Sequence, residues 1–159
     1  RQGVWAVSMF PHTVTIYNVS QETDPATFKD VEKTYITVLR GVLLEASKAA
    51  NVRQSGLEGA DAVNLYIPFS TVAVDGVTGA EKRYVGPQEF WRATDKSGIW
   101  TLSTDGNGGT KLFIKGEVVE PDKTEQALEM LYDDVYKVTK VDMKDFGSQD
   151  MRHFEVGGA

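Results

Sequence analysis

The sequence predicts a mainly β protein: a small β-barrel or sandwich with long loops and one principal helix near residues 122–136. Three observations predict it. Short runs in which β-branched apolar residues alternate with polar ones recur along the chain from residue 12 onward. Clusters of Gly, Asp, Asn and Pro punctuate those runs as turns do. Only the segment after Pro121 carries both a helix-start signal and helical spacing. A length of 159 residues suits one core better than two, so residues 9–159 are expected to form a single domain.

Residues 1–8 lack the apolar core of a secretory signal. They are expected to be an N-terminal extension or a vector-derived remnant ahead of a natural start near Met9, the alternative being an arm in which Trp5 packs on a neighbour. Residues 12–18 then alternate, Val14 and Ile16 on one face and Thr13, Thr15 and Tyr17 on the other, as a half-buried strand does. The polar stretch 20–30, with Pro25, reads as a hairpin-type loop. Alternation returns over 33–39, and Gly41 permits a bend before Val42, Leu43 and Leu44 continue the strand. Residues 45–57 have little pattern and read as an irregular excursion with one short helical turn.

The clearest strand is 61–69, where Val63, Leu65 and Ile67 face one way and Pro68 stops the ladder. The segment 75–96 reads as a long loop insertion, rich in turn residues and carrying Phe90 and Trp91. The apolar runs 99–102 and 111–114 flank a Gly-rich link and read as a hairpin. After Pro121, the D-x-x-E spacing of Asp122 and Glu125 predicts a helix start, with Ala127, Leu128, Leu131 and Val135 at helical spacing. Residues 135–141 fit either a following strand or the continuation of that helix. A last strand over 152–156 precedes a Gly-Gly-Ala tail.

Composition narrows the chemistry. The absence of cysteine excludes disulfides, Cys-ligated zinc and thiol nucleophiles, and two histidines exclude a His-rich metal site. A net charge of −6 argues against a duplex-binding protein held by phosphate contacts. No apolar stretch approaches the ~20 residues of a membrane helix. The link Gly106-Asn-Gly-Gly109 lacks the Lys-Ser/Thr end of a phosphate loop and is followed by a strand, so it reads as a turn. His12 and His153 would meet only if their strands paired, with Asp150 or Glu155 to orient a ring; polar positions on half-exposed strands are the plainer reading. There is no G-x-S-x-G elbow and no H-E-x-x-H, and the Asn18-Val-Ser20 sequon has no signal peptide to give it meaning. The chain is therefore expected to be no enzyme and to need no metal or cofactor.

Charge and aromatic placement point to contact surfaces instead. Phe90 and Trp91 lie in a polar stretch between Tyr84 and Arg92, which suits an interface anchor or, alternatively, a lid tucked over the open end of a barrel. Residues 120–134 carry six acids and one lysine. Glu125, Glu129 and Asp133 read from the residues alone as a solvated outer face.

Several segments together resemble small proteins of the head-to-tail module of long-tailed phages and prophages of Firmicutes. They are Met9-Phe-Pro-His-Thr-Val-Thr-Ile-Tyr-Asn18, Thr37-Val-Leu-Arg-Gly-Val-Leu43 and Ala60-Asp-Ala-Val-Asn-Leu-Tyr-Ile-Pro-Phe69, then Trp100-Thr-Leu102 with Phe113-Ile-Lys-Gly-Glu117, and finally Val141-Asp142 through Phe146-Gly-Ser148 with Met151-Arg-His-Phe-Glu-Val-Gly157. The resemblance implies a structural virion protein, similar to head-closure (stopper) or minor capsid proteins of the neck. It implies a ring of six or twelve copies between portal or connector and tail, assembled in the host cytoplasm and touching no membrane, through which DNA passes without sequence-specific binding. On this resemblance Glu125, Glu129 and Asp133 would line an acidic channel that repels phosphates over the ~8 Å screening length of physiological salt. The alternative from the residues alone is a non-catalytic β-barrel module that binds a peptide, a glycan or another protein.

Overall fold

A computed structural model of the protein describes residues 9–47, 62–104 and 109–159. Ten strands form one bent, mostly antiparallel sheet with two short helices on it. Strands β1 (His12–Thr23) and β2 (Asp30–Ser47) are its spine, paired from Thr23↔Asp30 to His12↔Val42. β3 (Ala62–Pro68) pairs with the last part of β2, and β4 (Ala73–Asp75) with its middle. β5 (Glu81–Tyr84) follows on β4, and β6 (Ile99–Trp100) joins β5 in the one parallel pair. On the other side of β1 lie β7 (Thr110–Lys115) and β8 (Val135–Tyr136). β9 (Val138–Lys144) and β10 (His153–Gly158) extend the sheet beyond β3, β10 being central between β3 and β9.

Two places let the sheet fold over on itself. At Gly41, φ +84 turns β2 out of the β1 ladder and into the β3 ladder, a conformation costly to residues with a Cβ. At Lys137 the chain leaves the β7 ladder and enters the β10 ladder, and Lys137 exchanges both backbone bonds with Ala159 at 2.9 and 3.0 Å. The sheet's two arms thus face each other across one core. Val14, Ile16 and Phe113 come from one arm, and Leu65, Ile67, Phe154 and Val156 from the other. This is the sandwich form of the predicted architecture rather than a regular barrel, because β4, β5 and β6 continue past β2 to an open edge.

The opposite face of the first arm is covered by α2 (Glu125–Leu131), whose Leu128 packs with Tyr17, Ile36, Leu112 and Ile114. The stretch leading to it is fixed by β1. Thr15 Oγ1 donates to Gly116 O at 2.6 Å and accepts from Val118 N at 2.9 Å, while Tyr17 OH donates to Val118 O at 2.9 Å.

Several predicted boundaries are corrected. The helix starts at Glu125 rather than near Asp122, because Thr124 is the cap and its Oγ1 accepts from Ala127 N at 3.1 Å. It stops at Leu131 rather than near 136, since Val135 and Tyr136 pair with Ile114 and Phe113. Runs 99–102 and 111–114 do not form a hairpin ladder; β6 pairs with β5 and β7 with β1 and β8. The two runs are joined instead by side chains. Asn18 Nδ2 donates to Thr101 O at 2.9 Å, and Thr110 Oγ1 donates to the same carbonyl at 3.0 Å. Residues 45–47 continue β2 rather than opening an excursion, and the remainder of that excursion lies outside the described residues, as do Trp5 and most of the Gly106 link. The Gly-Gly tail is strand: a Cβ at Gly158 would lie 2.8 Å from Phe113 and from Val63, so only glycine lets β10 cross the core there. Segment 75–96 is not a long loop. It holds β5 and the helix α1 (Pro87–Arg92).

Candidate functional site

The end of the molecule where β3, β5, β6 and β10 meet carries an apolar cleft of about 430 Å³. Alternation along β10 turns Phe154 inward opposite Ile67. Pro68 ends β3, and the chain then turns back with Phe69 N donating to Arg152 O at 3.1 Å. Parallel pairing sets Tyr84 beside Trp100. The rings of Tyr84 and Phe154 are 4.6 Å apart, those of Tyr84 and Trp100 5.1 Å, and those of Phe69 and Phe154 4.8 Å. Centroid separations in this range with tilted planes are the favoured aromatic geometry. Trp100 and Phe154 are buried, whereas Phe69 and Met143 stand exposed at the mouth.

Among the described residues, the charged ones lining this cleft are the cations Lys82 and Arg83. Lys82 turns away from the opening. Its buried Nζ donates to Thr37 Oγ1 at 3.0 Å and Ile36 O at 3.3 Å and pairs with Asp75 at 3.3 Å. Burial pushes the lysine's pKa down, and the Asp75 carboxylate opposes that. For Asp75, burial alone would raise the pKa. The N–H groups of Thr78 and Val77 and the Lys82 ammonium outweigh it and hold the carboxyl below its usual range. Arg83 is exposed and makes only a 3.6 Å pair with Glu89. Burial pushes the Tyr84 hydroxyl's pKa up. The cleft can thus accept an apolar group, and among the described residues that line it Arg83 is the exposed charge available to orient an anionic neighbour.

A second, shallower hollow on the outer face of the second arm is lined by Phe10, Leu43, Glu45, Tyr66 and His153. Here His153 Nε2 meets Glu155 at 2.9 Å and its Nδ1 faces Met151 O at 2.7 Å. Glu155 orients the ring as the sequence suggested. The two histidines belong to strands that do not pair, and His12 Nδ1 accepts from Leu44 N at 3.0 Å. Among the described residues, no group of three His, Asp or Glu side chains converges as a metal-ligand set.

The four residues expected at an interface separate. Tyr84 lines the cleft. Phe90 is 0% exposed, packed with Val85, Ile99 and Tyr35, its ring edge-on to Tyr35 at 6.2 Å. It is core, because the short helix turns this one ring under itself onto Val85 and Ile99. Trp91 is 67% exposed, and Arg92 is exposed beside it in the last turn. The acidic set separates too. Glu125 is neutralised by Lys137 at 3.1 Å, while Glu129 is exposed on α2 and Asp133 lies exposed beyond the helix end. What the sequence did not single out is the cleft: Phe69, Met143 and Phe154 lie far apart in the chain, and only the β3–β10–β9 order brings them together.

Among the described helices, none is long and apolar enough to cross a membrane. One family, described as a family of unknown function (DUF6751), matches residues 9–159. No curated protein and no solved structure matches the chain.

Proposed function

The chain belongs to that family of unknown function, and on this premise we propose that it is a structural, non-catalytic subunit of the phage neck. In this reading it forms a ring between the portal or connector and the tail, closes the filled head and joins the tail. The observation that carries the proposal is where the large apolar side chains outside the core lie. Phe28 is exposed on the β1–β2 turn, Trp91 on α1, Met130 and Leu131 on α2, and Phe146 and Met151 on the β9–β10 connection. A lone subunit gains little by exposing them, whereas a rigid body seated between unlike neighbours needs contact groups on several sides. The resemblance to neck proteins begins at Met9, as does the family match. In this reading Glu125, Glu129 and Asp133 are the carboxylates that would face a DNA channel, the last two being exposed.

The test is direct. Virions from a host carrying the gene are purified, and the chain is sought by mass spectrometry and by antibody labelling at the neck. Its presence there in a fixed ratio to the portal protein is expected; its absence from virions overturns the reading. One observation favours a second reading, a binding module: the aromatic cleft at Tyr84 is shaped to receive a single apolar group. Under that reading the free protein binds a peptide or glycan without assembling.

A further inference from the structure

The β1–β2 hairpin runs on past the rest of the sheet. Over residues 20–23 and 30–33, these two strands pair only with each other among the described residues. At its tip, Phe28 is 82% exposed and sits at φ +57, a backbone conformation that bulky residues rarely adopt. Hydrogen bonds hold it there: Phe28 N to Asp24 O at 2.7 Å, Asp24 N to Lys29 O at 2.8 Å, and Ala26 N to Asp24 Oδ1 at 2.8 Å. A strained residue that the surrounding bonds keep in place, displaying a bare ring, contributes nothing to its own core. We propose that Phe28 at the tip of this arm docks head to tail into the Tyr84–Phe154 cleft of a second copy of the chain.

Geometry excludes the same contact within one chain. Cleft residue Thr71 donates to Gly41 O at 3.3 Å, which places the cleft beside Gly41 of β2. The arm begins at Asp30, eleven residues back along the same strand, about 36 Å at the usual rise. Tip and cleft therefore lie at opposite ends of the molecule, and a contact between them joins unlike faces. Such a heterologous contact builds a ring when its rotation closes. Chemistry matches as well. The arm carries Glu22, Asp24, Asp30 and Glu32 against Lys29 and Lys33, while the exposed charge on the cleft's lining is the Arg83 guanidinium, Lys82 being buried on Asp75. This contact deepens the ring reading above and rests on it.

The chain has no cysteine, so introduced thiols report only on the positions chosen. Thr27→Cys is placed beside the Phe28 ring and Ser70→Cys at the cleft rim, both exposed. Concentrated single variants are mixed and oxidised. The mixed disulfide dimer is expected in excess over either self-dimer, and a chain carrying both changes should give a ladder of multimers. Adding Phe28→Ala or Arg83→Glu should cut the mixed product several-fold. Mixed product no more abundant than self-dimers, or a yield unmoved by Phe28→Ala, overturns the contact. The two proposals fail separately: a chain found at the neck without the cross-link keeps the neck reading and discards this contact, and a cross-linked ladder from a chain absent from virions does the reverse.

Discussion

Lys82 counts as an ordinary surface charge in the composition, and nothing in the local run Glu81-Lys82-Arg83 sets it apart. Its ladder partner Ala73 is what turns it inward onto Asp75. The sequence pattern of β-branched alternation revealed Val14, Ile16, Leu65 and Ile67 as core because burial on strands has period two; a paired, buried charge has no such signature. Because breaking one side of a buried pair leaves the other uncompensated, Asp75→Asn should cost about 3 kcal/mol in urea unfolding at neutral pH. Lys82→Met should cost less, since Asp75 keeps its bonds from Val77 and Thr78. The sign of the pH effect follows from the folded pKa of Asp75 lying below its unfolded value. Its stabilisation is present above the ordinary carboxyl range near 4 and is lost as pH falls through the folded value. Wild-type stability should drop across that acid window more than Asp75→Asn stability does. At Phe28, a left-handed backbone costs a residue with a Cβ about 1–2 kcal/mol, whereas glycine takes it freely. Phe28→Gly should leave stability unchanged or raise it by up to about 1 kcal/mol while abolishing assembly, a split that calorimetry and cross-linking read independently.

Elements were legible where one periodicity ran long enough, and misread where tertiary pairing cut it short. The run Leu128, Leu131, Val135 has helical spacing, yet β7 offers Val135 and Tyr136 a ladder and draws them out of the helix. Asp122 and Thr124 both have capping side chains, and only the folded chain shows that Thr124 takes the role. Adjacent residues of a short helix point in different directions, which is why Phe90 and Trp91 part company. Phe90→Ala should therefore lower stability by about 3–5 kcal/mol, the cost of an emptied aromatic core site. Trp91→Ala should change it by no more than about 0.5 kcal/mol, and any effect of that change should appear in binding to a neighbour. Urea titration of the two single variants separates the roles. Glycine pairs at the end of a strand-like run resemble a flexible tail in sequence, and the closeness of Gly158 to Phe113 belongs to the assembled core alone. Gly158→Ala should cost about 1–3 kcal/mol by overpacking that crossing, measurable as a shift in the urea midpoint.

On the scale of the whole molecule, β2 and the continuous stretch of β8 and β9 each belong to both arms of the sheet. Neither arm can open without stripping partners from the other. Unfolding should accordingly be a single cooperative transition, seen as coincident curves by far-ultraviolet dichroism and by fluorescence of the buried Trp100. Separate transitions by the two probes would contradict this. Fold class was legible from the sequence, because alternation and turns are local; the cleft was not, because it is made by strand order. The place of β10 between β3 and β9 also bears on how a cell makes this protein. Strand β3 leaves the ribosome some ninety residues before β10, so of its two ladders only the one with β2 can form at first. Translation must pass residue 158 before the edge of β3 that β10 takes is paired, so the nascent chain carries an open strand edge through more than half of its synthesis. Such a chain is a natural client for a ribosome-associated chaperone.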